Sequence, residues 1–221
     1  LKDNFNRSDC VIALGGGILG DLSGFISSLA KRGLKFINIP TTLLAQADAS
    51  IGGKVAVDLP EGKNLVGAFY QPQFVMSDVQ TLVSLPQRQV TSGWAEAIKH
   101  GLILDNTLLE SFENDFEKIN SLDPRVTTRV VRQSVSIKAN MVSRDERETL
   151  GVRILLNYGH TIGHAIESST GYDKFLHGEA VSIGMIAAAY ISNKRGLMST
   201  EQMKRQFEVL NLYGLPTSYP D

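Results

Sequence analysis

VIALGGGILGDLSGFISSLAKRG, residues 11–33, decides the fold class. Val11 to Leu14 form an apolar run of the kind found in a buried strand of a parallel sheet. Gly15, Gly17 and Gly20 follow in the pattern G-x-G-x-x-G and lead into a helical period. Glycines at this spacing allow a tight turn and a close approach of ligand to backbone. The first turn of the helix then offers unpaired N–H groups to a phosphate. Gly33 stands where a helix C-cap is expected, and KFINIP (35–40) reads as a second strand stopped by Pro40. Strand, turn, helix and strand in this order are the signature of an α/β fold. One part of the dinucleotide pattern is absent. A ribose-binding carboxylate is expected about 20 residues on, at the end of the second strand. Ile39-Pro40-Thr41-Thr42 stand there instead, so a dinucleotide would bind without it.

Further along, TTLLAQADASIGGK (41–54) reads as loop or short helix, VAVDLPEGKN (55–64) as hairpin or loop, and QFVMSD (73–78) as a strand. Asp48, Lys54, Lys63 and Asn64 fall in this Gly-bearing region. Ammonium charge and exposed amides there suit anionic groups. After LVSLPQRQ (82–89) every long segment turns helical in period. The expected architecture is an α/β part over residues 1–85 and an all-α part over 86–221. Within the helical part, His160 and His164 lie four apart in GHTIGHAIESS and share one helix face. His177 follows a Gly-containing turn, and Glu96 lies upstream in GWAEAIKHG. Two histidines and one glutamate form a catalytic zinc set that leaves a position open for water or substrate. Spacing alone leaves open which two of the three histidines bind. Arg153 and Asn157 stand just upstream, and an arginine fork suits carboxylate or phosphate. Glu96 and Lys99, three apart, read by themselves as a surface ion pair. Cys10 and Trp94 read as packing residues, and RDERE (144–148) as a solvated helix end.

Composition excludes several classes. The chain has 221 residues, is 43% hydrophobic and 20% charged, and carries a net charge of -1. That balance implies no polyanion-binding surface, hence no nucleic-acid partner. No apolar run reaches the roughly 18 residues of a membrane span, so no membrane partner is expected. A single cysteine rules out an internal disulfide and fits a reducing, cytoplasmic compartment. The chain opens with LKDNFNRSD and meets its first strand almost at once, and it ends in YGLPTSYPD. The expectation is an internal fragment whose first sheet strands and last helices are missing.

Seven blocks then carry a family resemblance. They are GGGILGDLSGF, KRG, PTTLLAQADASIGGK, GKNLVGAFYQP, SLPQRQVTSGWAEAIKHG, RILLNYGHTIGHAIE and HGEAVSIGM. In this order they resemble the 3-dehydroquinate synthase family of sugar-phosphate cyclases. The resemblance implies an N-terminal Rossmann-like NAD-binding domain and a C-terminal helical metal-binding domain. It also implies a homodimer that uses NAD+ with Zn2+ or Co2+. Carried over by residue, Glu96, His160 and His177 match the metal ligands. His164 then steadies the ligands or transfers a proton. Gly17, Ile18, Leu19, Gly20 and Asp21 match the pyrophosphate turn, and Thr41 and Thr42 match further NAD contacts. Thr81, Leu82, Val83 and Ser84 match a strip closing over the nucleotide, with Lys54 and Lys63 nearby. Asp48, Lys54, Lys63, Asn64, Lys99, Lys138, Arg153 and Asn157 match residues that bind or organise the substrate. Arg32 matches an arginine that reaches the substrate phosphate across the dimer interface.

The implied reaction turns 3-deoxy-D-arabino-heptulosonate 7-phosphate into 3-dehydroquinate and phosphate. Its steps are transient oxidation by NAD+, β-elimination, re-reduction and intramolecular aldol closure. Ser84 in place of the family's usual Thr keeps a hydroxyl, Gln89 removes a common charge, and Asp58 replaces a frequent Asn. The alternatives are a cyclitol-forming cyclase of the same group, a metal-dependent alcohol dehydrogenase of the glycerol-dehydrogenase type, and a non-catalytic remnant.

Overall fold

The computed structural model describes residues 5–219. Residues 1–4 and 220–221, at the outer ends of LKDNFNRSD and YGLPTSYPD, lie outside the described residues. The strand read at 11–14 is β1 (Cys10–Gly15), and α1 (Gly17–Leu29) follows the glycine turn. β2 (Lys35–Pro40) lies parallel to β1 in the register Cys10↔Lys35 to Gly15↔Pro40. A short β5 (Phe74–Val75) pairs with the other side of β2, giving the parallel order β1-β2-β5. Between them β3 (Lys54–Leu59) and β4 (Gly62–Phe69) form an antiparallel hairpin, irregular between Val57 and Leu59. α1 packs on this hairpin and on β2 through Gly24, where a side chain would run into Val55 and Phe36.

Three local readings are corrected. α1 stops at Leu29, not at Gly33, because Lys31 and Arg32 take positive φ (51° and 66°) and turn the chain out of the helix. β1 is not buried on both faces. Among the described residues its outer edge has no strand neighbour, and Ile12 and Leu14 are 60% and 63% exposed. Cys10, at the start of that strand, is exposed rather than part of the core.

The first long helix of the second half is α2 (Gln87–Leu104). TLLESFENDFEKI splits at Asp115 into α3 (Asn106–Asn114) and α4 (Phe116–Asn120). α5 (Pro124–Arg144), α6 (His160–Ser169), α7 (His177–Lys194) and α8 (Thr200–Leu212) complete it. Trp94 is a core residue, edge-on to Phe112 at 5.6 Å, and Phe112 meets Tyr213 at 5.4 Å. Such aromatic contacts add about 0.5–1.5 kcal/mol each beyond area burial. RDERE is not a solvated helix end. Asp145 is buried and its carboxylate accepts the N–H groups of Thr149 (2.9 Å), Leu150 (3.1 Å) and Val152 (3.0 Å). That turn sends the chain back toward Arg153.

The α/β and helical parts meet at a wide turn, Ala45–Ala49, closed by Ser50 N–H to the Ala45 carbonyl, five residues back, at 3.0 Å. A helix widened in this way is often found at a functional site. Gln46 and Ala47 are wholly buried, and the turn packs on α2 and α5. It therefore carries Asp48 from the sheet side into the helical core. Among the described residues no helix is long and apolar enough to cross a membrane.

Candidate active site

α2, α6 and α7 bring Glu96, His160 and His177 to one point. The close approach depends on small residues. Gly178 donates its N–H to Ser92 Oγ at 3.1 Å, and any side chain there would strike the Ser92 carbonyl oxygen. A side chain at Gly184 would likewise strike the Gly159 carbonyl, and Gly159 itself holds φ +79° to start α6. Across these contacts His160 Nε2 lies 3.7 Å and His177 Nε2 3.8 Å from Glu96 Oε1. His160 Nδ1 sits 3.2 Å from the Tyr158 carbonyl, and His177 Nδ1 3.4 Å from Glu167 Oε1. Oxygen acceptors at both Nδ1 atoms make these the N–H positions, which leaves the Nε2 lone pairs facing Glu96. Glu96 Oε1 is buried and has no hydrogen-bond partner. Three electron-pair donors facing one another without a proton between them fit a divalent cation.

The other Glu96 oxygen accepts from Lys99, and both side chains are 1% exposed. This is a buried pair rather than the surface pair read from spacing. Burial would raise the Glu96 carboxyl, but Lys99, His160 and His177 together outweigh it and hold the group below the usual carboxylate range. Burial pushes His160 down to about 4, so it stays neutral and able to coordinate.

These groups open onto a cavity of about 570 Å³. Asp48, Lys54, Asn64, Lys99, Lys138, Arg153, Asn157 and His164 all line it, together with Asp21. Lys138 Nζ lies 2.8 Å from both the side-chain and the main-chain oxygen of Asp48. Burial would raise the Asp48 carboxyl; Lys138, Lys99 and His100 outweigh it and keep the group ionised. Asp21 is different: burial pushes it up to about 6. Arg153 is buried, with Nη1 on the Glu146 carbonyl (2.9 Å) and Nε 3.2 Å from Glu148. Lys54 pairs with the same Glu148 at 2.7 Å. Lys54, Lys63 and Asn64 belong to strands β3 and β4, not to a loop. Lys63 does not line the cavity; it rests against Glu167 (3.4 Å) and over the Tyr172 ring (4.2 Å). Four cationic side chains around one metal-competent corner suit a small polyanion with hydroxyl groups.

The glycine turn lies beside this cavity. α1 has no side-chain cap, so its first N–H groups are available to an acceptor. A side chain at Gly16 would press on Thr42 Cγ2 at 3.0 Å, and one at Gly20 on Asn38 Nδ2 at 3.0 Å. Gln46 ties the two further strips together. Its Nε2 bonds to the Pro40 carbonyl (3.0 Å), the Asp78 carbonyl (2.8 Å) and Thr81 Oγ1 (3.0 Å). Thr41–Thr42 and Thr81–Ser84 thus flank one side chain. These features fit a phosphate-bearing nucleotide at the turn. Leu82 is the exception in its strip: its side chain lies in the helical core, so only its backbone could touch a ligand. Ile18 and Val83 are strongly exposed. Arg32 lies on the exposed turn after α1 and, within this chain, outside the cavity.

Comparison with known proteins gives the family. Residues 1–92 match the family described as 3-dehydroquinate synthase N-terminal, and residues 93–221 match 3-dehydroquinate synthase C-terminal. The chain belongs to the 3-dehydroquinate synthase family. A 3-dehydroquinate synthase from Desulforamulus reducens is 50% identical over 97% of the chain and 60% of its own length. One from Thermodesulfovibrio yellowstonii is 48% identical over 100% of the chain and 61% of its length. The chain thus spans about 60% of the curated relatives it matches. Among solved structures, 2-epi-5-epi-valiolone synthase from Streptomyces hygroscopicus, with NAD+ and Zn2+ bound, superposes with a TM-score of 0.88 at 30% identity. That match covers 95% of this chain and 58% of the other.

Against the family pattern, the Asp58 departure has a local role. Its Oδ1 accepts the Asn64 N–H at 3.2 Å, where Asn64 holds φ +59°. An asparagine oxygen would do the same. Four site residues escaped the sequence reading. Glu148 and Gln46 carry no motif of their own. Glu167 lies three residues after His164 on a helix, and that spacing was a signal. His100 was visible on the Glu96 helix, but nothing in the sequence showed its burial. Its Nδ1 is 2.8 Å from Ser134 Oγ, and Ser134 also bonds the Ala47 carbonyl at 3.1 Å.

His100 makes a prediction about pH. Burial pushes it from 6.5 down to about 4. Between those values the unfolded chain binds a proton that the folded chain does not. Stability is therefore full above 6.5 and falls as pH drops toward 4, by about 3 kcal/mol from this group. Urea midpoints from pH 7 to 4 should fall more steeply for the wild type than for His100→Asn. Parallel profiles would place the acid sensitivity elsewhere.

Proposed function

We propose that the protein acts as a 3-dehydroquinate synthase, a phosphate-eliminating carbon–oxygen lyase. It would convert 3-deoxy-D-arabino-heptulosonate 7-phosphate to 3-dehydroquinate and phosphate. The observation that carries this reading is the joining of Glu96, His160 and His177 to a cavity lined by Lys54, Lys99, Lys138 and Arg153. Family membership sets the reaction class, and the cavity chemistry supports a substrate with carboxylate, phosphate and hydroxyl groups. Residues 1–85 are proposed as a Rossmann-like NAD-binding domain and 86–221 as the metal- and substrate-binding domain. A cytoplasmic homodimer, with Arg32 reaching the partner's substrate phosphate, belongs to the same reading.

When bound, NAD+ supplies a reversible hydride acceptor, and Zn2+ or Co2+ held by Glu96, His160 and His177 supplies Lewis acidity at the substrate hydroxyl. The chain's own groups do the rest. Lys99, whose partner is Glu96, puts positive charge beside that hydroxyl. Arg153 presents its fork to the substrate carboxylate, giving up Glu148 to do so. Asn157 and Asn64 orient hydroxyls. Lys138 and Asp48 form a fixed dipole beside Glu96. His164 Nδ1 is 2.8 Å from Glu167, which leaves Nε2 free to take or return a proton at a substrate oxygen.

The test is phosphate release from the heptulosonate phosphate by the full chain with NAD+ and Zn2+, before and after chelation. Stoichiometric phosphate and dehydroquinate, no net NADH, and loss on chelation are expected. No release by metal-loaded protein would reject the substrate and favour a cyclitol-forming cyclase. Net NADH would favour the dehydrogenase reading. In the same assay His164→Ala should keep its metal and slow turnover by about 10²–10⁴, the usual contribution of a proton-transfer group. Loss of metal would exchange the roles of His164 and His160.

A further inference from the structure

We propose that Glu167 is a positioning residue of the metal centre, one carboxylate that sets the tautomers of His177 and His164 together. This rests on the metal reading of Glu96, His160 and His177. The Glu167 side chain is 4% exposed, yet both of its oxygens are engaged. Oε1 lies 3.4 Å from His177 Nδ1 and 3.4 Å from Lys63 Nζ, and Oε2 lies 2.8 Å from His164 Nδ1. An ionised carboxylate only accepts hydrogen bonds, so each imidazole must present its proton at Nδ1. The lone pair then falls on Nε2. For His177 that atom is the one 3.8 Å from Glu96 Oε1. Glu167 thus decides which nitrogen of His177 faces the metal position, and in the same act leaves His164 Nε2 as a proton acceptor.

The arrangement follows from the chain. His164 and Glu167 are three apart on α6 and share a face. His177, the first residue of α7, is laid over that face by the glycine contacts of α7. His160 takes its orientation separately, from the Tyr158 carbonyl, which no side-chain change at position 167 removes. Lys63 reaches Glu167 from β4 and offsets its charge without touching either ring. Three donors thus surround the one buried carboxylate: His177 Nδ1, His164 Nδ1 and Lys63 Nζ.

Glu167→Gln keeps the shape and replaces one acceptor oxygen by an NH₂ donor. One imidazole must then move its proton to Nε2 or lose its bond. Zn2+ affinity, measured by competition with a chromogenic chelator, should fall about 10–100-fold, the range found for removal of a ligand's supporting partner. Long-range ¹H–¹⁵N spectra of the metal-free chain should show His177 and His164 as Nδ1–H in the wild type. In Glu167→Gln at least one of them should be mixed, with His160 unchanged. Lys63→Met should leave the tautomers as they are. Wild-type affinity with unchanged tautomers in Glu167→Gln would overturn the proposal. So would a wild-type His177 carrying its proton on Nε2, a result that needs no variant to fold. A wild type that binds no Zn2+ would defeat the metal reading instead, and the metal-free spectra would still decide the role of Glu167.

Discussion

His160→Ala is expected to lose its bound metal and its activity together. His160 supplies one of three donors around a buried point, and the other two cannot close the gap. Glu96 is fixed by its bond to Lys99, and His177 by the first turn of α7. Zinc binding worth about 10–16 kcal/mol over four ligands puts roughly 3–4 kcal/mol on each, or on the order of 10²–10³ in affinity. Turnover should fall at least as far, because the Lewis acid leaves with the metal. The fold should survive. Tyr158, not His160, joins this segment to the helical core, and its hydroxyl donates to Gln206 Oε1 at 2.9 Å. Metal content by elemental analysis and phosphate release, made on one preparation, check this. An active, metal-free His160→Ala protein would sink the ligand assignment.

Gly178→Ala is expected to damage stability and metal binding at once, although it adds one methyl group. The new carbon would meet the Ser92 carbonyl oxygen and Ala95 Cβ on α2. Backbone cannot swing aside as a flexible side chain can, so α7 must back away from α2. Overpacking of this kind costs about 1–3 kcal/mol and occasionally more. The better helix propensity of alanine returns at most about 1 kcal/mol, so the clash wins. A net loss of about 1–2 kcal/mol lowers the melting temperature by roughly 2–8 °C in a chain of this size. The site suffers more directly. Gly178 adjoins His177, and Ser92 is one helical turn from Glu96, so parting these backbones parts the two ligands. Zn2+ affinity should drop at least about tenfold. Gly196→Ala is the control: nothing lies within 4 Å of a side chain there, though φ is +71°. It should cost about 1–2 kcal/mol through the left-handed backbone alone and leave metal affinity intact. Gly178→Ala with wild-type affinity would mean that the α2–α7 contact does not set the ligand spacing.

Periodicity and turn chemistry in the sequence were enough for the α/β opening and the helical remainder. These are local properties, written in neighbours three or four apart. The three residues proposed to hold the metal lie in spaced motifs, as do most of the charged residues of the cavity wall, because each block keeps its side chains on one short segment. What stayed hidden was burial and pairing across segments. The pair Glu96–Lys99 looks the same in sequence whether it faces water or the core. Asp145 in RDERE reads as one charge in a solvated run, yet three backbone N–H groups converge on it. Glu148, Gln46 and His100 find their partners about 5 to 94 positions away. The sequence by itself therefore determined the mixed α/β and helical character of the chain and the family it resembles, and it supplied the site residues proposed above. Only the tertiary structure decided which histidine nitrogens face Glu96, that Glu167 holds two rings at once, and that glycines on α7 set the distance between ligands. Those outcomes depend on the approach of helices far apart in the chain, and side-chain packing, not local propensity, fixes that approach.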